Sequence, residues 1–143
     1  MGQNAVLAVS PDRSFVRDMT SLAMRCGWKL VSDAQYKAGK VELIGFLRPR
    51  EISVCGVEVA NRAIRLNANP GQRHLEAFLA KYERWAPPKC VDYIAFPGTV
   101  WQNEDRLRSV LTLCWNGERW HLDLVRLDGG WRPRGCLLRP CSE

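Results

Sequence analysis

The segment LRSVLTLCWNGERWHLDLVRL, residues 107–127, constrains the fold more than any other part of this chain. Apolar and polar residues alternate on both sides of Asn116-Gly117, and a period of two is typical of strands buried on one face. Asn-Gly is the preferred dipeptide for a two-residue type I′ turn. The segment therefore predicts an antiparallel hairpin that pairs Trp115 with Glu118, Leu113 with Trp120 and Leu111 with Leu122, with those leucines and Trp120 on the core face.

Other strands are predicted on both sides of this hairpin. Residues 91–101, VDYIAFPGTVW, predict a strand, a Pro-Gly turn and a second strand, and residues 128–140 predict a turn and a last short strand. Nearer the N-terminus, AVLAV (residues 5–9) and KVELIGFLRP (residues 40–49) also predict strands, the second of which stops at Pro49.

Three segments have the spacing of amphipathic helices. The first begins with Ser10 as a candidate N-cap and ends near Gly27, with an apolar stripe at Phe15, Met19, Leu22 and Cys26. Residues 50–67 are compatible with a strand or a helix, and we interpret about 56–67 as a helix. The segment GQRHLEAFLAKYERWAP, residues 71–87, predicts a third helix that Pro87 and Pro88 end, with a buried face of Leu75, Phe78, Leu79, Tyr82 and Trp85 or Ala86.

These elements predict an α+β fold in one domain, residues 1–143. N-terminal helices, including a helical hairpin, would pack on a C-terminal antiparallel β-meander of about four to five strands. Residues from about 1 to 90 would be mainly helical, and residues from about 91 to 141 would form the meander.

The stretch LNANPGQRHLE, residues 66–76, joins the second and third predicted helices. In a helix-turn-helix, Gln72 and Arg73 would read bases from the start of the second helix, since Gln suits adenine and Arg suits guanine. However, that register places Arg73 where an apolar residue is needed. The same residues also fit the corner of an antiparallel helical hairpin, with Asn69 as N-cap and His74 as a surface or capping residue.

The formal net charge of +6 is spread along the chain and favours an acidic partner such as nucleic acid or an acidic protein surface. No signal peptide is recognisable, and no run reaches the roughly 18 apolar residues that span a bilayer. We therefore expect a cytoplasmic protein with reduced thiols and no membrane partner. The six cysteines fit no standard zinc spacing, so no metal and no cofactor are predicted.

Tryptophan and arginine are concentrated in the predicted meander. Trp can stack on bases while Arg holds phosphates, although the same pair also anchors protein interfaces and hydrophobic cores. We interpret the chain as a non-enzymatic module that contacts nucleic acid. The candidate binding residues are Trp101, Trp131, Arg132, Arg134 and Arg139, together with Gln72 and Arg73.

Two alternatives remain open. The first is a protein–protein module, such as an accessory or inhibitor factor of a mobile element or a homodimer subunit, with an exposed apolar patch around Trp101 or Trp115. The second is a small enzyme that uses His121 and Asp123, which project from one strand in the same direction. Polar neighbours on a half-exposed sheet explain that pair equally well, and the sequence assigns no catalytic residue.

The blocks LNANPGQRH (residues 66–74), FPGTVW (residues 96–101), RWHLDLVRLDGGW (residues 119–131) and LLRP (residues 137–140) resemble short uncharacterised bacterial proteins that share such motifs. The resemblance covers more than half of the chain and leaves the first 50 or so residues unmatched. It implies a bacterial, single-domain protein, with carriage on mobile DNA among the alternatives. No activity is attached to that group, so the resemblance carries over no functional residue.

Overall fold

The computed structural model describes residues 6–9, 27–33 and 39–141. Within these ranges the chain forms nine strands and two helices. In chain order they are β1 (Val6–Val9), β2 (Lys29–Ser32), β3 (Gly39–Gly45), β4 (Val54–Cys55), α1 (Gly56–Arg65), α2 (Gln72–Tyr82), β5 (Tyr93–Gln102), β6 (Arg108–Trp115), β7 (Trp120–Arg126), β8 (Gly130–Trp131) and β9 (Gly135–Pro140).

The main sheet has the strand order β1-β3-β9-β5-β6-β7, and β2 pairs with β5 outside this path. The pairs are antiparallel except β5 with β9, which run in the same direction. Strand β9 reaches its place between β3 and β5 from the far end of the sequence, so the sheet joins residues about a hundred positions apart. Strands β4 and β8 form a separate two-stranded ribbon.

The two helices contribute to cores on opposite faces of the main sheet. On one face, Leu75 and Phe78 of α2 pack against sheet residues such as Leu113 and Trp120. On the other face, Val59 and Ala63 of α1 belong to a second core that includes Tyr93 and, from β8, Trp131. Because both of its faces are covered, nine of the ten residues of β5 are buried, which explains its nearly continuous apolar run.

This arrangement shows that the predicted fold class was wrong. The described residues are mostly β, the sheet is mixed rather than an antiparallel meander, and the two helices lie in the middle of the chain. The predicted helical hairpin does not form, since α1 and α2 are on opposite sides of the sheet. The connection between them passes beside β5, where the backbone N–H of Gly98 donates to the carbonyl of Pro70 at 2.8 Å.

Several local predictions are confirmed. The strands near residues 5–9 and 40–49 are β1 and β3, although β3 ends at Gly45. The ambiguous segment becomes helical at Gly56, and the helix predicted within residues 71–87 is α2, which begins at Gln72 and ends at Tyr82. The helix predicted from Ser10 to Gly27 falls almost entirely outside the described residues.

The predicted Pro-Gly turn at residues 97–98 was wrong, because β5 continues through it. The register with β6 shifts between Phe96 and Val100, so Pro97 lies where the ladder is interrupted. A bulge tolerates a residue that has no N–H to donate.

The β6–β7 hairpin exists, but its predicted register was wrong by two residues. Trp115 pairs with Trp120 and Leu113 with Leu122 across a four-residue turn. The Asn116 side chain stabilises this longer turn, since its Oδ1 accepts from the backbone N–H groups of Glu118 and Arg119 at 2.9 Å each. A shift of two residues keeps each side chain on its predicted face, and Trp120 is in the core as predicted, but Leu122, on the edge strand β7, is 42% exposed instead of buried.

A buried arginine attaches α1 to the preceding loop. Arg62 donates to the carbonyl of Phe46 at 3.0 Å and forms two hydrogen bonds, at 2.6 and 2.8 Å, with the carboxylate of Glu51. The hydrogen bond from Arg62 lowers the pKa of Glu51 to about 2. Arg62 is therefore part of the scaffold and has no free guanidinium for a phosphate.

Candidate nucleic-acid interface

The predicted binding residues divide between the two ends of the main sheet. Trp101, Gln72 and Arg73 lie at the end where β5 terminates. Trp101 is only 2% exposed, and its Nε1 donates to Oε1 of Gln72 at 3.0 Å. Gln72 is also buried, so these two side chains hold each other inside the protein, and Arg73 is exposed beside them.

Trp131 and Arg139 are also held by contacts within the protein. Trp131 is buried, and its Nε1 donates to the carbonyl of Arg126 at 3.0 Å. Arg139 on β9 is the register partner of Glu42 on β3, and its Nε donates to Oε1 of Glu42 at 2.8 Å. Trp131 therefore has no exposed ring on which a base could stack, and the guanidinium of Arg139 is already paired.

Arg132 and Arg134 are exposed at the opposite end of the sheet, where β5 begins. The Arg132 guanidinium lies 5.9 Å from the ring centroid of Tyr93, and the Tyr93 hydroxyl donates to the Arg132 carbonyl at 2.5 Å. Burial raises the pKa of Tyr93, which keeps this hydroxyl protonated. Arg134 pairs with Asp92 at 3.3 Å and donates to the carbonyl of Lys89.

The glycine that begins β9, Gly135, lets the turn before it approach Tyr93 closely. A Cβ added at Gly135 would lie 2.3 Å from the Tyr93 ring, which is far inside van der Waals contact. The absence of a side chain at Gly135 therefore places the backbone that carries Arg132 and Arg134 directly against the start of β5.

Hydrogen bonds bring two further segments to the same end. The backbone N–H of Trp120 donates to the carbonyl of Glu83 at 2.8 Å, and its Nε1 donates to the carbonyl of Trp85 at 2.9 Å. These bonds attach the C-terminal end of α2 to the turn between β6 and β7. The backbone N–H of Trp115 donates to the carbonyl of Asp92 at 3.0 Å, which attaches the same hairpin to the loop before β5.

We define the basic end as the six cations that these segments carry, all of them exposed: Lys81, Arg84, Lys89, Arg119, Arg132 and Arg134. The segments 81–92, 116–119 and 132–134 also contain three carboxylates, Glu83, Asp92 and Glu118. Their net charge of +3 is half of the chain's +6, although they make up only nineteen residues. The excess positive charge that is spread along the sequence is therefore concentrated in space.

Two half-buried tryptophans lie among these cations. Trp115 is 5.5 Å from Trp120 between ring centroids, and Trp85 is 6.2 Å from Tyr82. Each indole packs partly against the core that contains Leu75 and Phe78, and the rest of each ring is accessible to solvent. The arrangement offers guanidinium and ammonium groups for phosphates next to aromatic rings for bases.

The sequence analysis found only part of this site. It named Arg132 and Arg134, and it gave Lys81 and Arg84 as phosphate contacts of the helix-turn-helix alternative, but it missed Lys89 and Arg119, as well as Trp85. The neighbouring Arg84-Trp85 pair and Lys89 form a basic and aromatic signal that was present in the sequence. Their proximity to residues 132–134 depends on the pairing of β5 with β9, and no local sequence pattern indicates that pairing.

The corner at residues 66–76 contains a buried polar cluster that the sequence analysis also missed. Thr99 Oγ1 accepts from the backbone N–H of Gln72 at 2.7 Å and donates to Asp33. His74 Nδ1 accepts from the backbone N–H of Gly71 at 3.0 Å, so His74 is a capping residue as one alternative predicted, but it is buried. The corner is therefore a structural joint between β2, β5 and α2.

The alternative sites do not assemble as predicted. His121 and Asp123 are both exposed, and the register partner of His121 is Cys114. Asp123 Oδ1 accepts from the backbone N–H of Leu124 at 2.8 Å. Of the two tryptophans around which an apolar patch was predicted, Trp101 is itself buried, although its register partner Leu30 on β2 is 52% exposed, and Trp115 is half-buried.

No protein-family model matches the chain, and no curated protein or solved structure shows significant similarity to it. The resemblance to short bacterial proteins therefore stays a prediction. Neither helix in the described part of the chain has the length and apolar character needed to cross a membrane. Within the same part, no three His, Cys, Asp or Glu side chains are grouped as ligands for a metal ion.

Proposed function

We propose that this protein binds single-stranded nucleic acid and that the basic end is its contact surface. The observation that carries the proposal is the convergence of three separate chain segments, with six exposed cations, at one end of the sheet. Concentrated positive charge is the electrostatic signature of a phosphate-binding surface.

The tryptophans favour a single strand over a duplex. Trp85 and Trp115 are half-buried beside the cations, and unpaired bases stack on such rings whatever their sequence. Duplex reading through α2 is not favoured, because seven of its eleven residues are buried and it has no free face for a groove.

A bacterial, cytoplasmic location is part of this proposal. The five cysteines within the described residues are free thiols, as in proteins of a reducing compartment. Arg132 and Arg134 keep the binding role that the sequence analysis gave them. Arg134 also pairs with Asp92, but both of those side chains are about half exposed, whereas Arg139 is less exposed and pairs across the β3–β9 ladder with the mostly buried Glu42, so Arg139 does not keep that role.

The test is fluorescence anisotropy of labelled single-stranded DNA and RNA, titrated with protein at several salt concentrations. The triple variant Lys89→Ala, Arg119→Ala, Arg132→Ala removes three exposed cations of the basic end. We expect weaker binding and a slope of log K against log salt that is shallower by about two, since each phosphate contact on a single strand contributes about 0.7.

A second triple variant serves as the control. Lys29→Ala, Lys40→Ala, Arg73→Ala removes the same charge from exposed positions at the opposite end of the sheet. We expect this variant to retain the wild-type salt slope. Equal losses in both variants would show that net charge alone attracts the nucleic acid, and the absence of binding at low salt would reject the proposal.

A further inference from the structure

Helix α1 presents an apolar stripe to solvent. Val57 is 51% exposed and Ile64 is 66% exposed. They are seven residues apart, which is two helical turns, so they lie on the same side of the helix. Ile52 and Leu66, 81% and 37% exposed, flank the helix in sequence. Single exposed apolar residues are ordinary, but a stripe along one helix marks an interaction surface.

A charged stripe runs parallel to the apolar one. Glu58 and Arg65 are also seven residues apart, and Arg65 Nη2 lies 2.6 Å from Glu58 Oε1. Asn61 is exposed between the two stripes, at the middle of the outer face of α1. This face is thus apolar along one side, charged along the other and polar at its centre.

From this pattern we infer that a second copy of the chain packs against α1, with the two helices antiparallel about a two-fold axis near Asn61. A two-fold axis that is perpendicular to the two helices keeps each stripe on its own side of the interface. Val57 then lies opposite the partner's Ile64, and Glu58 lies opposite the partner's Arg65. The face is therefore complementary to itself in both shape and charge, which is what a closed two-fold dimer needs.

Charge also selects the antiparallel arrangement. In a parallel two-fold pair each stripe would instead face the other kind, so that Glu58 and Arg65 would lie against the partner's Val57 and the partner's Ile64, and burying charged groups against apolar ones opposes association. The proposed dimer is small, because α1 is only about 15 Å long, whereas a standard interface buries about 800 Å² on each partner. We therefore expect a weak dimer whose population depends on protein concentration.

Sedimentation equilibrium of the full chain over a wide range of concentrations tests this inference. We expect the weight-average mass of the wild type to rise from one chain toward two. Ile64→Glu is at an exposed position, so the variant should fold, and it should remain monomeric at all concentrations. Asn61→Leu removes a polar group from the centre of the interface and should lower the dissociation constant by about tenfold.

Leu122→Glu is the matched control, because Leu122 is an exposed leucine on the edge strand β7. It should dimerise like the wild type. A wild type that stays monomeric at every concentration would overturn the inference. A dimer that survives Ile64→Glu but is lost in Leu122→Glu would also overturn it and would locate self-association at β7 instead.

Discussion

His74 is held at the start of α2 by the hydrogen bond in which its Nδ1 accepts from Gly71. Burial is the main cause that lowers its pKa, and the nearby negative charge of Asp33 opposes this only in part. The imidazole therefore remains neutral in the folded protein at pH values where it would be protonated in the unfolded chain.

The lowered pKa of His74 predicts acid sensitivity. As the pH falls below the ordinary value of 6.5, the unfolded state takes up a proton that the folded state does not bind, so the free energy of unfolding decreases. His74→Asn retains an acceptor for the Gly71 N–H and cannot titrate. We expect urea unfolding of this variant to depend less on pH between 7 and 5 than that of the wild type.

The second histidine of the chain provides the control. His121 is exposed on β7, so His121→Asn leaves His74 in place and should retain the loss of stability toward acid that we assign to His74. If His74→Asn and wild type show the same pH dependence, the burial of His74 does not couple protonation to folding.

At the scale of elements, the β6–β7 hairpin shows how one side chain sets a register. Asn116 caps a four-residue turn through two hydrogen bonds, and Gly117 adopts a φ of 98°, which a glycine tolerates best. The turn therefore needs the same two residues as the predicted two-residue turn, but it shifts the strands by two positions.

We expect Asn116→Ala to destabilise the protein by about 1 kcal/mol, because two backbone N–H groups lose their shared acceptor. Asn116→Asp retains an oxygen at that position and should be close to wild type. Glu118→Ala changes an exposed side chain of the same turn and should alter stability by less than about 0.5 kcal/mol. Chemical denaturation measures all three, and an unchanged midpoint for Asn116→Ala would contradict the capping role.

At the scale of the whole molecule, the two proposed surfaces use separate parts of the chain. The basic end is formed by loops and the last turn of α2, whereas the self-association surface is the outer face of α1. The two helices contribute to cores on opposite faces of the main sheet, so neither surface needs the other.

This separation predicts that the two properties can be removed independently. Ile64→Glu should bind a short single-stranded oligonucleotide as the wild type does, as measured by anisotropy. The triple variant Lys89→Ala, Arg119→Ala, Arg132→Ala should retain the wild-type monomer–dimer equilibrium. Loss of both properties in either variant would indicate one shared surface or a folding defect.

The sequence by itself determined the local elements of this protein. Apolar spacing of three and four residues predicted the helices that form as α1 and α2 and the buried face of α2. Alternation with a period of two predicted the β6–β7 hairpin. These signals are readable because they come from side chains within one or two turns of each other, or directly across one turn.

Only the tertiary structure decided how these elements are arranged and which side chains act together. The insertion of β9 between β3 and β5 pairs residues such as Glu42 and Arg139, which no local pattern relates. It also brings Arg134 into contact with the carbonyl of Lys89, whereas Trp131 is buried where β8 pairs with β4. The physical reason is that strand pairing depends on contacts between distant segments, while periodicity reports only which face of a segment is apolar.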